Sequence, residues 1–195
     1  MANSTTQTSI INRALQLLGY QAVASITQVG DRGAKAMNRA YEPVKISLLT
    51  ENYWAFSIKR ASLPEDAVKP VHTKTYRYAL PGDYLMLAPE DQASDFPLAN
   101  DWIIEGNHIV TNDSAPLLIR YISNAITENF FHPLFAEAFS YALAVSTCEE
   151  LTQSNGKITT LASFFDRQIT LAKNRNAILV AKPKAPASPW ISKRV

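Results

Sequence analysis

The residues of this chain with the most chemistry open to them are three histidines, one cysteine and a group of carboxylates. His72, His108 and His132 lie in different segments, without partners at the spacing a metal site uses. Each is therefore expected in a surface or hydrogen-bonded role. A Ser–His–Asp triad is assembled by the fold and not by sequence order, so that alternative stays open. Cys148 stands alone, which excludes an internal disulfide framework and a Cys-based zinc cluster. It lies in the apolar helical run 142–148, where a free cysteine behaves as a small buried hydrophobe. Asp83, Glu90, Asp91 and Asp95 cluster in a turn-rich stretch containing Pro89 and Pro97. A two-carboxylate acid–base site needs both groups held at a defined separation on rigid structure. A solvated face is the expectation here, as it is for Glu149-Glu150. The glycines are Gly19, Gly30, Gly33, Gly82, Gly106 and Gly156, and none builds a phosphate-cradling loop or dinucleotide fingerprint. No nucleophile elbow is present. The chain is expected not to be an enzyme and to need no cofactor and no metal.

Aromatic residues say more. Trp54, Phe56, Tyr76, Tyr78, Trp102 and Tyr121 fall in regularly patterned segments and are expected mostly in the core. Trp190 differs, because Pro183, Pro186 and Pro189 precede it in a stretch with no core of its own. Three prolines in seven residues favour an extended, polyproline-like path. At ~3.1 Å per residue, residues 181–195 reach on the order of 45 Å. Trp190-Ile191 followed by Lys193-Arg194 has the make-up of a docking segment, an aromatic anchor with charges that steer approach. The candidate docking residues are Lys182, Lys184, Trp190, Ile191, Lys193 and Arg194. The alternatives are a tail that folds back on its own domain, one without order, or a basic arm that touches nucleic acid.

Charge is unevenly divided. The chain of 195 residues carries a net +2, and Lys182, Lys184, Lys193 and Arg194 contribute four positive charges beyond Val180 with no acid to offset them. Removing those four leaves residues 1–180 at −2, a mildly acidic body with a basic arm. A duplex-reading domain would instead show a basic stripe on folded structure. With 47% hydrophobic and 18% charged residues the chain has ample core and is not globally disordered. No signal-peptide pattern opens it and no apolar run has membrane-spanning length, so a soluble protein made inside the cell is expected.

The elements that must position these residues follow from periodicity. A first helix follows Thr8 and Ser9, with Ile10, Ile11, Ala14, Leu15, Leu17 and Leu18 on its apolar face and Gly19 as its stop. Asp31 caps a second, whose Ala34, Met37, Tyr41, Val44 and Leu48 recur at helix-seam spacing. Pro43 should kink or break it. Between residues 73 and 123 the pattern turns to strands. Tyr76, Tyr78 and Leu80 alternate with Arg77 and Ala79, and Pro81-Gly82 marks a turn. Residues 102–111 read as a hairpin about Gly106-Asn107, and 117–122 as a third strand. Helices return at Pro133, with one run to about Leu151 and another from Ile158 to about Val180, an antiparallel pair. The expectation is a mainly α protein with a β insert (α+β). Residues 1–72 and 124–180 form an antiparallel helical bundle, 73–123 a small β-sheet or hairpin lobe, and 181–195 an extended C-terminal arm.

The order of these features resembles the tail tubular protein A family, the head-to-tail adaptors of short-tailed bacteriophages. The resemblance rests on Leu17-Leu18-Gly19, Tyr41, Leu48-Leu49, Trp54-Ala55-Phe56 and Lys59-Arg60-Ala61-Ser62-Leu63. It continues through residues 76–83, Trp102, Glu105-Gly106, Tyr121-Ile122 and the helix opening 133–138, covering roughly residues 9–180. It implies a homo-dodecameric ring between the portal protein and the tail nozzle, itself built of a tail tubular protein B-like subunit. Such a ring extends the channel through which phage DNA passes, touched without sequence preference. The resemblance further implies a virion protein of the tail or neck, assembled in the host cytoplasm without a membrane and carrying no catalytic or metal site. The arm would dock on the portal or on a neighbouring subunit. The competing expectation is a small helical nucleic-acid-binding or other virion-assembly protein that works through its basic arm.

Overall fold

The computed structural model describes residues 5–28, 30–71, 73–88 and 101–180. These form an α+β fold with four helices and two small antiparallel three-stranded sheets.

Helix α1 (Gln7–Leu18) begins earlier than its apolar pattern suggests. Thr6 is the cap, because Ser9 serves as its reciprocal partner: the Ser9 N–H donates to Thr6 Oγ1 at 3.1 Å and the Thr6 N–H to Ser9 Oγ at 2.9 Å. Gly19 ends the helix as expected, its φ of 74° letting the amides of Gly19 and Tyr20 turn back onto the carbonyls of Gln16 and Leu15. Helix α2 (Arg32–Thr50) is capped by Asp31, whose carboxylate accepts the Ala34 N–H at 2.7 Å. Of the kink or break expected at Pro43, the break does not occur: the helix runs through the proline. The proline removes one hydrogen bond to the Arg39 carbonyl. Burial of Met37 and Tyr41 before it, and of Leu48 and Leu49 after it, holds both halves in place.

The chain then enters a 3-10 turn at Ala55–Ser57 and strand β1 (Ile58–Leu63). This strand lies ahead of residue 73, where the β region was expected to open. Its apolar residues do not alternate cleanly, and it takes its form from full antiparallel register with β6 (Leu117–Ser123). Strands β2 (Tyr76–Ala79) and β3 (Tyr84–Leu87) flank Pro81-Gly82 but join different sheets, so this turn is a corner and not a hairpin. Strands β4 (Trp102–Glu105) and β5 (His108–Thr111) form the expected hairpin. Of its two central residues only Gly106 has positive φ, 59°, the arrangement of a type II′ turn.

Sheet order is β1-β6-β3 and β2-β5-β4. Leu117, Ile119 and Tyr121 on one face of β6 join Leu63, Leu87, Tyr78 and Ile109 in an apolar cluster shared by both sheets. Ile122, on the opposite face, belongs to the helical core instead. Period-two alternation thus makes β6 the element that couples the two cores.

Helix α3 (Pro133–Thr152) carries Pro at its first turn and touches each of the other three helices. Helix α4 (Asn155–Val180) follows after two residues and packs along it through Leu161, Ile169 and Ala172. Cys148 is fully buried within α3, as its apolar surroundings suggest. Among the described residues no helix is long and apolar enough to cross a membrane.

Candidate functional site

Two features stand out once the core is set aside: a polar junction between strands and an aromatic groove beside the end of α4.

The junction is built on Asp83, which follows the Pro81-Gly82 corner. Its carboxylate accepts from Lys59 Nζ of β1 at 2.8 Å, from Tyr121 Oη at 3.0 Å and from Ser123 Oγ at 2.6 Å, the last two on β6. The backbone carbonyl of Asp83 accepts the Asn124 N–H at 2.8 Å. The Lys59 bond first, then those of Ser123 and Tyr121, hold the Asp83 carboxyl down at about 2. Burial, followed by the hydrogen bond to Asp83, pushes the Tyr121 hydroxyl up to about 12. A solvated role was expected for Asp83, and the structure corrects it. Its partners stand 24 to 40 residues away in sequence, so no local pattern could announce them. The junction does structural work, joining β1, the corner and β6.

A second charged group lies on the other sheet. Asp66 accepts from Arg77 Nε at 3.0 Å, Arg77 Nη2 and His108 Nε2 share a hydrogen bond at 3.4 Å, and His108 Nε2 lies 3.3 Å from the same carboxylate. The Asp66 carboxyl is lowered by the Val68 backbone amide first and by Arg77 next. His108 therefore has the hydrogen-bonded role expected of it. So does His132, the cap of α3, whose Nδ1 accepts the Leu134 N–H at 3.2 Å. Burial, and then Arg175, depress its pKa, which favours the neutral ring whose Nδ1 can accept that bond. Among the described residues no group of three or more His, Cys, Asp or Glu side chains is placed to hold a metal ion.

The groove has a volume of about 490 Å³ and draws its walls from three distant segments. Trp54 and Phe56 come from the turn after α2, Phe130 and Phe131 from the 3-10 turn Glu128–Phe130 and its end, and Phe135 from α3. Ala172, Asn176 and Leu179 supply the α4 side. The floor is rigid. Phe135 meets Trp54, Phe56 and Phe131 with ring centroids 4.8, 4.9 and 5.0 Å away in edge-on geometry. Trp54 is fixed by its Nε1–H, which donates to the Leu48 carbonyl at 2.7 Å. Asn176 is satisfied on both ends, accepting the Ala55 N–H and donating to the Tyr53 carbonyl, each at 2.8 Å. With Asn176 occupied and His132 neutral, the groove presents no charge and suits an apolar occupant. Its rim is open, since Phe130 is 62% and Leu179 54% exposed. Sequence reasoning placed Trp54 and Phe56 in the core, which is where their buried sides lie, but did not foresee a groove against them.

The docking residues expected from sequence, Lys182, Lys184, Trp190, Ile191, Lys193 and Arg194, lie outside the described residues, as do His72, Glu90, Asp91 and Asp95. Helix α4 brings the chain to the groove just before that arm begins, because Leu179 lines it and Val180 is the helix's last residue. Comparison with protein-family models and with curated proteins finds no match for this chain.

Proposed function

We propose that this chain is a head-to-tail adaptor subunit of a short-tailed bacteriophage, similar to tail tubular protein A. In this reading its helices form an antiparallel bundle, and twelve copies form a ring between portal and tail nozzle, extending the DNA channel in the virion neck. The observation that carries the reading is a convergence. Lys59, Asp83 and Tyr121 come from three separate stretches of the resemblance, and they meet in one hydrogen-bonded junction. Trp54, Phe56 and Phe135, from two further stretches, meet in one aromatic cluster. The residues on which the resemblance rests are joints of the fold, which supports a protein that works through its shape and surfaces. The acidic balance of residues 1–180 suits a channel wall that lets DNA slide without gripping it.

Co-sedimentation tests the proposal. The full chain mixed with purified portal-bearing capsids should pellet with them in a saturable ratio and stay in the supernatant with portal-less shells. Equal recovery with both would overturn it. The basic arm favours one competing reading, nucleic-acid binding through Lys182, Lys184, Lys193 and Arg194. A gel-shift on free DNA that fades as salt rises, without any capsid attachment, would support that reading instead.

A further inference from the structure

The aromatic groove lies where helix α4 ends, so the residues beyond Val180 could meet a groove in two ways, their own or that of another copy. Trp190-Ile191 is an apolar pair in a polar, Pro-rich stretch, and the uncharged groove needs an apolar occupant. The simplest pairing, each arm in its own groove, demands that the chain reverse direction soon after Val180. Residues 181–189 oppose that. Six of the eight residues 182–189 are either a proline, whose φ is fixed near about −65°, or the residue before one, which is kept out of the α region, and no Gly, Asn or Asp stands among them to supply a left-handed turn position. At ~3.1 Å per residue, the stretch to Trp190 spans roughly 30 Å. A folded body of this length has a radius of gyration of roughly 16 Å and so a diameter of roughly 40 Å. An arm extended over that length would carry Trp190 away from its own groove by most of one subunit's width.

We infer that the groove between Phe130 and Leu179 receives Trp190 and Ile191 of a neighbouring copy of this chain, so that each subunit clasps the next. The contact is heterologous, arm of one copy into groove of another, and propagates in one direction as ring closure requires. The inference rests on the ring reading for its geometry but names a site that the reading leaves unassigned.

The test uses the full chain with the photo-cross-linking residue p-benzoylphenylalanine in place of Trp190, prepared in heavy and light isotopic forms and mixed. After assembly and irradiation, cross-linked peptides are identified by mass. The inference predicts heavy–light links from residue 190 to the groove residues Phe130, Phe131 or Leu179. Phe130→Glu on the acceptor copy, a change at an exposed position, should cut their yield about tenfold, the loss of an anchoring contact of roughly 1.4 kcal/mol. Links within single chains, links that map elsewhere, or no links overturn it. Electron microscopy of the same sample separates this inference from the ring reading. Rings whose links lie outside the groove would sink the inference alone, and groove links between copies without rings would sink the ring alone.

Discussion

Replacing Asp83 by Asn keeps the shape of the side chain and removes the charge on which the strand junction is centred. In the fold this carboxyl sits at about 2 because Lys59, Ser123 and Tyr121 all donate to it. An unfolded aspartate sits near ~3.9, so the depression is worth at most about 2.6 kcal/mol of stability. Water reaches the pair, since the Asp83 side chain is 23% and the Lys59 side chain 41% exposed. Screening reduces the expected cost of Asp83→Asn to about 1–2 kcal/mol near neutral pH. The sign fixes the pH dependence. Because the folded pKa lies below the unfolded one, the contribution is complete above about pH 5 and is lost as pH falls through about 2. The Asn side chain does not titrate, so the gap between wild type and variant should close over that window. Urea unfolding followed by tryptophan fluorescence, repeated from about pH 7 down to about pH 2.5, measures the gap. A gap that stays constant through the acid range, or a variant as stable as wild type at neutral pH, would refute the reasoning.

Other positions give sharper but simpler outcomes. Phe135→Ala removes a fully buried ring from the floor of the groove and should cost about 3–5 kcal/mol, read as a lowered urea midpoint. Asn176→Ala leaves the Ala55 amide and Tyr53 carbonyl without their partners and should cost about 1–3 kcal/mol, with faster amide exchange at Ala55 as the local signature. Gly19→Ala meets only Lys157 Nζ, at an ordinary contact distance of 3.6 Å, but must hold a left-handed φ of 74°, so thermal unfolding should show a loss of about 1 kcal/mol.

Local chemistry made part of this fold legible in the sequence. Asp31 caps its helix with its carboxylate, Gly19 ends its own because without a Cβ it takes a left-handed φ, and Gly106 turned the β4–β5 hairpin, because each acts within a few residues. Features decided by distant partners were not legible. Strand β1 exists because β6 offers it a full register, and the sequence Ile-Lys-Arg-Ala-Ser-Leu alone gives no clear alternation. Pro43 failed to end α2 because tertiary burial on either side outweighs one missing hydrogen bond. The corner at Pro81-Gly82 had the residues of a turn, but which sheets it joins depends on pairing beyond it. The site divides in the same way. Trp54, Phe56 and Phe135 were each visible as large apolar residues, whereas the groove they share requires α2, α3 and α4 to be assembled first.

The most direct test of the central proposal is electron microscopy of the full chain mixed with isolated portal complexes, compared with portal alone. The account predicts an added ring of density coaxial with the portal, with twelvefold symmetry and a continuous central channel. Portal particles that remain unchanged at saturating chain concentration, or chain bound off-axis without a ring, would contradict it.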